Sequence, residues 1–361
     1  MSVPWEITTF SLSTNTQGET LTDIYANGQM QAQINVRIRA INQNTWATYQ
    51  LTQSDLQSLK LIDYNKRQEL TGNWTYSTVE KEDFAHNMPI TRSPADEELV
   101  APITPIADDT QTIIFWVSTT RIESLRIGAQ ITEHGATEST VTTTGGNFDS
   151  SITVRGHAPI TYTMDDVTVQ REDTAYGYWY KEVRENGKWI KYRYLWDQDN
   201  YYLTSKRYPF VKVDRYNVDV NGSTQPYGYG TYFRDAFAYM GLGNDREVSI
   251  FFLPQMGNSR QSWRGVRWQN DYNNLDSTAY VTVNQRPNAL TLTRILFGNA
   301  YVSFLPNWQA DAWFRIYDQY GNSGTFTAKQ QKSNTIEISN RYVNRELSAE
   351  ESKTIQPAAK L

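Results

Sequence analysis

The chain lacks cysteine and has only three histidines among its 361 residues. Without cysteine it can form no disulfide, no thiolate metal site and no cysteine nucleophile. The histidines, His86, His134 and His157, are too widely separated for a His-x-x-x-His ligand pair. We therefore interpret them as isolated surface residues, and we expect neither a metal nor any other cofactor.

Long apolar runs and an excess of positive charge are missing too. No segment approaches the run of about 18 apolar residues that a membrane helix needs, so we expect no transmembrane segment. Residues 1–7 do not resemble a secretory signal, which predicts a cytoplasmic protein or export by a non-Sec route. The net charge of −5, with Lys and Arg scattered along the chain, argues against a nucleic-acid partner.

Motifs for catalysis are scarce. The sequence contains no Gly-x-Ser-x-Gly elbow, no phosphate-binding loop and no dinucleotide fingerprint. A glycosidase could draw paired carboxylates from Asp165–Asp166, Asp197, Asp199 or Asp271, because such acids need no local signature. Residues 197–200 also offer oxygen ligands for Ca²⁺ but lack the glycine and glutamate of a full calcium loop. We interpret these acids as solvated turn residues and predict a protein that is not an enzyme.

Aromatic residues are abundant, with 24 Tyr and 11 Trp, and they favour half-buried sheet surfaces. The clearest strand is Met30–Ile41, where apolar and polar residues alternate with a period of two. Similar patterns predict further strands at Leu61–Tyr64, Trp74–Ser77, Gln111–Val117, Glu123–Ile131, Ser151–Arg155, Val248–Leu253, Ala279–Val283, Ala289–Phe297 and Ala312–Tyr317.

Glycine pairs and one capping pattern mark the connections. Asn27–Gly28, Gly145–Gly146 and Asn186–Gly187 predict turns between strands, the last two in hairpins. Thr52–Asp55 is typical of a helix N-terminus and predicts one short helix between strands. Residues 233–240 are interpreted as a helical turn.

Strands at this spacing with little helical periodicity predict an all-β fold of sandwiches or barrels. Two segments, residues 25–38 and 314–324, resemble turn-and-strand segments of bacterial immunoglobulin-like domains such as those of invasin-type adhesins. The resemblance implies tandem β-sandwich modules. We therefore predict immunoglobulin-like modules at 1–92 and 93–172, a larger aromatic-rich β domain at 173–340 and a tail at 341–361.

A dense aromatic segment, residues 176–202, is the best candidate for a binding surface. Its two arms flank Asn186–Gly187, so side chains should alternate between two faces of a hairpin. An exposed face would form a platform for sugar rings or a protein hot spot, and a covered face would form a core. The candidate ligand-binding residues are Tyr178, Trp179, Tyr180, Trp189, Tyr192, Tyr194, Trp196 and Tyr201.

These features predict a non-enzymatic structural or adhesive protein whose partner is a protein or a glycan surface. Unpaired strand edges also make a second copy of the chain an alternative partner, in an oligomer or filament. A carbohydrate-binding protein using residues 176–202 is the first alternative function. The second is a β-pore-forming or insecticidal toxin, because residues 136–155 are rich in Ser and Thr around a Gly-Gly turn.

Overall fold

A computed structural model describes residues 3–16, 19–88, 109–134, 138–221, 234–242, 247–257, 261–264, 276–278, 280–283, 286–298, 308–331 and 335–341. Within these ranges the chain is almost entirely β and forms several antiparallel sheets, which confirms the predicted all-β, sandwich-like class. The chain divides into two compact units. Unit 1 comprises residues 1–160 with 320–322, and unit 2 comprises 161–319 with 323–361.

Unit 1 contains eleven described strands and one short helix. The strands are β1 (Trp5–Ser13), β2 (Leu21–Tyr25), β3 (Ala32–Asn42), β4 (Thr48–Tyr49), β5 (Lys60–Asp63), β6 (Gln68–Glu69), β7 (Trp74–Ser77), β8 (Gln111–Thr119), β9 (Ser124–His134), β10 (Glu138–Thr142) and β11 (Ile152–His157). The helix α1 (Gln53–Leu56) lies between β4 and β5, and a 3-10 turn covers Gly146–Phe148.

Two sheets build this unit. One has the order β1-β3-β8-β7, with β4 also on β3, and the other has the order β2-β11-β9-β5-β6, with β10 also on β9. In β3, Ala32, Ile34, Val36, Ile38 and Ala40 are buried and alternate with partly exposed polar residues, as predicted. One face of β3 therefore belongs to the core of unit 1.

The strand pairing corrects the predicted domain boundary at 92/93. Strand β8 pairs with β3, and β11 pairs in parallel with β2, so strands from both sides of residue 92 share the same two sheets. The observed division lies at 160/161, and it replaces both the 92/93 and the 172/173 boundaries. Local patterns predicted these strands but not their pairing partners. Of the predicted tail, residues 342–361 lie outside the described ranges.

The short helix confirms the capping prediction. Thr52 accepts a hydrogen bond from the Asp55 backbone N–H, and Asp55 accepts one from the Thr52 N–H at 2.8 Å. This reciprocal capping box satisfies two donors that the first turn leaves without intrahelical partners. Trp5 Nε1 and the Tyr49 hydroxyl also donate to Asp55, at 3.1 and 3.2 Å.

Two local predictions differ from the structure. Gly145–Gly146 does not close a hairpin, because β10 and β11 both pair with β9, at its residues 130–134 and 124–127 respectively. Residues 236–242 form a strand instead of a helical turn, since they pair with residues 247–252. Each of the predicted strands overlaps an observed one.

Residues 320–322 join unit 1 although the strands on either side of them belong to unit 2. The Asn27 side-chain amide donates to the Tyr320 carbonyl at 2.9 Å and to Asn322 Oδ1 at 3.1 Å. Asn322 Oδ1 also accepts from the Ile160 N–H at 3.2 Å. Three residues from late in the sequence thus complete the turn at Asn27–Gly28.

Unit 2 contains the remaining described strands and a 3-10 turn at Met164–Asp166. The strands are β12 (Val167–Glu185), β13 (Lys188–Ser205), β14 (Phe210–Tyr216), β15 (Ala236–Leu242), β16 (Glu247–Phe252), β17 (Gln261–Arg264), β18 (Asp276–Thr278), β19 (Tyr280–Val283), β20 (Leu290–Phe297), β21 (Trp308–Gln309), β22 (Trp313–Asp318), β23 (Ser323–Gln331) and β24 (Thr335–Asn340). Its largest sheet has the order β18-β12-β13-β20-β16-β15-β21, and a second has the order β14-β22-β23-β24.

Candidate functional site

Strands β12 and β13, 19 and 18 residues long, form a hairpin whose outer half carries the candidate aromatics. Asn186 and Gly187 close it with φ of 47° and 79°, as a type I′ turn requires. From Trp196 to Leu203, β13 also pairs with β20. We call residues 176–195 the distal hairpin.

One face of the distal hairpin exposes large side chains to solvent. Tyr176 is 81% exposed, Leu195 58%, Trp189 52% and Tyr178 45%. The register places Tyr178 directly opposite Leu195, and the Arg193 guanidinium lies 3.8 Å from the centre of the Tyr178 ring. We call Tyr176, Tyr178, Trp189, Arg193 and Leu195 the outer aromatic face.

The inner end of the opposite face turns toward the core of unit 2. Tyr192 and Tyr194 are half-buried and stack with ring centres 6.4 Å apart, and Tyr194 packs against the core. The Tyr192 hydroxyl donates to Glu185 at 2.8 Å, and this hydrogen bond raises the pKa of the tyrosine. Trp196 is buried among Tyr239, Phe252 and other apolar residues. This face therefore contributes mainly to packing.

The predicted site residues separate into three groups. Tyr178 and Trp189 are exposed, Tyr192 and Tyr194 are half-buried, and Trp196 and Tyr201 are buried, so the last two are unavailable to a partner. Trp179 and Tyr180 lie in β12, but their side chains are outside the described part of the chain. Of the two alternatives for this segment, a platform and a core, the core applies to Trp196 and to Tyr194, which packs against it.

The candidate residues omitted Tyr176, Arg193 and Leu195. Period-two alternation outward from Asn186–Gly187 already places Arg193 and Leu195 on one face, and the same register brings Tyr176 opposite Asp197 on that face. The signal was therefore present in the sequence. Alternation alone could not tell which of the two faces the rest of the chain covers.

An ion cluster holds the base of the hairpin. The buried Arg294 of β20 donates to Asp199 and to Asp197, the latter at 2.8 Å, and Arg171 of β12 donates to Asp199 at 2.7 Å. Asp199 is buried with its charge balanced by two guanidinium groups. The cluster links β12, β13 and β20, and it engages both carboxylates that were considered as glycosidase acids or calcium ligands.

Of the other candidate acids, Asp165 is exposed, Asp166 has structural contacts and Asp271 lies outside the described residues. Asp166 accepts from the Thr163 N–H and hydroxyl, and the backbone hydrogen bond lowers the pKa of this carboxyl. Arg207 pairs with Asp166 at 3.1 Å. Asp271 is not among the described residues. Within the described ranges, no three His, Asp or Glu side chains are grouped so as to hold a metal.

His86 and His157 have local partners. His157 and Arg155 both contact Asp23 at 2.7 Å, and the hydrogen bond from Arg155 lowers the pKa of that carboxyl. His86 contacts Glu80 at 2.7 Å and lies against Trp116. The side chain of His134 is outside the described part of the chain.

Residues 138–157 form part of the second sheet of unit 1. Ile152 and Val154 of β11 are fully buried, and the Thr143 hydroxyl oxygen accepts a hydrogen bond from the Ala129 N–H at 2.9 Å. A pore-forming role would require this segment to leave the sheet and expose both apolar side chains.

Comparison of the chain with known protein families and with curated protein sequences finds no match. Among the described residues, no helix has the length and apolar character needed to cross a membrane.

Proposed function

We propose that this chain is a non-enzymatic adhesive or structural protein that binds its partner through the outer aromatic face. The observation that carries the proposal is the exposure of Tyr176, Tyr178, Trp189 and Leu195 together on one face of one hairpin. Single exposed apolar residues are common on protein surfaces, but a group of them marks interaction sites more often.

The side-chain types support a binding role. Tyr and Trp give large rigid contact areas with few rotatable bonds, and they are enriched in interface hot spots. Trp189 and Tyr178 lie in adjacent paired strands, and the backbone ladder from Val167–Ser205 to Glu185–Lys188 holds these strands in register. The face is therefore presented on a regular element, which reduces the entropy lost on binding.

Carbohydrate binding is the second candidate, favoured by the exposed rings of Tyr176 and Trp189. An aromatic ring offers an apolar face to the C–H side of a sugar, and neighbouring polar groups bind its hydroxyls. A protein partner would use the same rings as hot spots, so the two candidates share residues but differ in ligand.

An array that carries both glycans and extracellular-matrix proteins tests the proposal. We expect the full chain to bind at least one class of spot, and Trp189→Ala and Tyr176→Ala to lose most of that binding. The matched control is Trp46→Ala, since Trp46 is a 72% exposed tryptophan of unit 1. Circular dichroism confirms that each variant is folded.

A chain that binds no spot, or variants of the outer aromatic face that bind as well as Trp46→Ala, would contradict the proposal. Binding to glycans alone would select the carbohydrate candidate, and binding to proteins alone would select the adhesive one. Turnover of glycoside substrates by the same preparation would contradict the non-enzymatic part.

A further inference from the structure

Asp197 is a half-exposed carboxylate at the base of the outer aromatic face. It follows Leu195 on the same face of β13, and the strand register places it between Tyr176 of β12 and Leu296 of β20. Directly paired residues of antiparallel strands have Cβ atoms about 4.5–5.5 Å apart, so the carboxylate is adjacent to both side chains. Asp197 is therefore a charged group bordered by aromatic and aliphatic side chains.

A β-bulge in β12 brings Tyr176 to this position. The pairing with β13 shifts between Asp173 and Ala175, so Thr174 is an extra residue on β12. Without this residue, alternation from Asp173 would place Ala175 on the outer face and Tyr176 on the core face. In the structure Ala175 packs against the core, and Tyr176 is exposed. The bulge thus aligns an aromatic ring with the Asp197 carboxylate.

The Asp197 carboxylate and its partner Arg294 retain hydrogen-bonding capacity. Asp197 Oδ2 accepts from Arg294 Nη2 at 2.8 Å, whereas Asp197 Oδ1 has no donor within the described residues. The Asp197 side chain is 41% exposed to solvent. Arg294 Nε and Nη1 are buried and lack a hydrogen-bond partner in the part of the chain that the structure describes. Buried donors ordinarily have a partner, so these atoms point to a ligand that offers acceptors beside Asp197.

The charges around Asp197 are balanced. Arg294 contacts both Asp197 and Asp199, and a second guanidinium group, that of Arg171, also contacts Asp199. An anionic ligand would add a third negative charge to this set, and a cationic ligand would add a third positive charge. A neutral ligand preserves the balance. A hydroxyl group can both donate and accept, so it matches the acceptor on Asp197 and the donors on Arg294.

We propose that Tyr176 and Asp197 form a subsite for one sugar of a neutral polysaccharide. This inference rests on the proposed function and specifies its ligand. The Tyr176 ring packs against the C–H side of the sugar, and Asp197 Oδ1 accepts hydrogen bonds from hydroxyls at its edge. Tyr178 and Leu195, the next pair along the hairpin, extend the apolar surface toward the neighbouring sugar.

A protein partner fits this end of the face less well. A Lys or Arg side chain of a partner would pair with Asp197, but Arg294 already neutralises this carboxylate at 2.8 Å. An apolar side chain would remove the carboxylate from water without supplying a donor, which costs free energy. Neutral O–H donors satisfy Asp197 Oδ1 without either penalty, and a sugar presents several of them on one ring.

Binding of the full chain to immobilised neutral polysaccharides tests the inference. The probes are dextran, galactomannan, xyloglucan and amylopectin, with alginate as the acidic comparison. We expect binding to at least one of the neutral polymers and weaker binding to alginate. The affinity should change by less than about twofold between about 0.05 and 0.5 M NaCl, because the ligand forms no ion pair with the protein.

Substitutions at Asp197 and Tyr176 separate the two contacts. Asp197→Asn removes the charged acceptor and should weaken binding to that polymer by about tenfold to a hundredfold. Tyr176→Ala should also weaken it, whereas Tyr176→Phe keeps the ring and should bind within about twofold of the unmodified chain. Asp165→Asn is the matched control, because Asp165 is an exposed carboxylate of unit 2. Tyr176 is exposed, so its variants test the subsite even if Asp197→Asn does not fold.

Failure to bind any neutral polymer, or stronger binding to alginate, would overturn the inference. Unchanged affinity in a folded Asp197→Asn variant or in Tyr176→Ala would also overturn it, as would an equal loss in Asp165→Asn. A protein spot on the array whose binding depends on Trp189 would leave the proposed function standing in each of these cases. Absence of all binding, to the array and to the polymers, would refute both.

Discussion

Gly177 explains why Trp196 belongs to the core. The two residues are directly paired across β12 and β13, and a Cβ at position 177 would lie 2.6 Å from the Trp196 ring. The indole therefore lies over the glycine backbone, with Phe297 and Tyr239 in the same cluster. A residue with a side chain at 177 would displace the ring.

Substitution Gly177→Val should lower the free energy of unfolding of unit 2 by about 1–3 kcal/mol, since overpacking forces either strand or ring to shift. Urea denaturation followed by tryptophan fluorescence measures the change. The exposed neighbour Tyr176 provides the comparison: Tyr176→Ala should change stability by no more than about 0.5 kcal/mol. An unaffected Gly177→Val variant would contradict the observed packing.

In unit 1, the Asp55 carboxylate accepts hydrogen bonds from Trp5, Tyr49 and Thr52. Burial alone would raise its pKa, but hydrogen bonds from Thr52, Trp5 and Tyr49 outweigh burial and lower it. Asp55→Ala should cost about 2–4 kcal/mol at neutral pH, because it removes a charged acceptor from several donors.

The pH dependence of this cost follows from the sign of the shift. Because the pKa of Asp55 is lowered in the folded state, its ionised carboxylate stabilises the folded state at pH values above the ordinary pKa of Asp. This stabilisation is lost as the pH falls through the pKa of Asp55 in the folded protein. The difference in unfolding free energy between wild type and Asp55→Ala should therefore shrink below about pH 4. A difference that stayed constant from pH 7 to pH 2 would contradict stabilisation by the ionised Asp55 carboxylate.

At the scale of single elements, the β12–β13 hairpin depends on its turn. Asn186 and Gly187 both have positive φ, which Asn tolerates and Gly adopts freely. Gly187→Ala should cost about 1–2 kcal/mol through backbone strain, and Asn186→Gly should be nearly neutral. Hydrogen exchange of the β12 and β13 amides would report the loss as faster exchange in the distal hairpin. Equal protection in both variants would contradict the turn geometry.

The base of the same hairpin depends on Arg294. Among the described residues, Arg294→Met leaves the buried Asp199 with Arg171 as its one remaining ion-pair partner, so we expect a loss of about 3–5 kcal/mol. Thermal and urea unfolding measure this cost. Arg286→Met is the control, since its pair with Glu172 is partly exposed and should contribute at most about 1 kcal/mol. Similar losses of unfolding free energy in the two variants would show that burial does not increase the contribution of the Arg294 ion pairs.

The sequence predicted individual elements better than their arrangement. Alternation in Ala32–Ala40, the Thr52–Asp55 capping box and the Asn186–Gly187 turn depend on neighbouring residues, and all three were confirmed. The pairing of β3 with β8 and of β2 with β11 joins residues about 80 and 130 positions apart. Such pairings leave no local signal, which is why the domain boundary was misplaced and the choice between an exposed and a covered position for Trp196 stayed open.

At the scale of the whole molecule, the chain has two compact units in place of the three predicted domains. Each unit has its own buried residues, such as Ile34, Val36 and Ile127 in unit 1 and Phe251, Phe297 and Phe314 in unit 2. Units with separate cores can unfold separately, so the chain need not behave as a single two-state system.

We expect calorimetry of the full chain to resolve two transitions. Asp55→Ala should lower the midpoint of one, and Gly177→Val should lower the midpoint of the other. For units of about 160 and 200 residues, a loss of 1 kcal/mol corresponds to a shift of roughly 2–4 °C. If both variants shifted the same transition, the two units would form one cooperative system.

The contribution of residues 320–322 to unit 1 affects how the protein folds during synthesis. Asn27 and Ile160 cannot form their hydrogen bonds to Asn322 until nearly nine-tenths of the chain has been made. At roughly 5–20 residues per second, the ribosome needs about 8–30 s to reach residue 322 after residue 160. During this interval unit 1 lacks its last three residues. A nascent chain arrested before position 320 should therefore be cleaved by protease at Asn27–Gly28 faster than a longer nascent chain in which residue 322 has already left the ribosome.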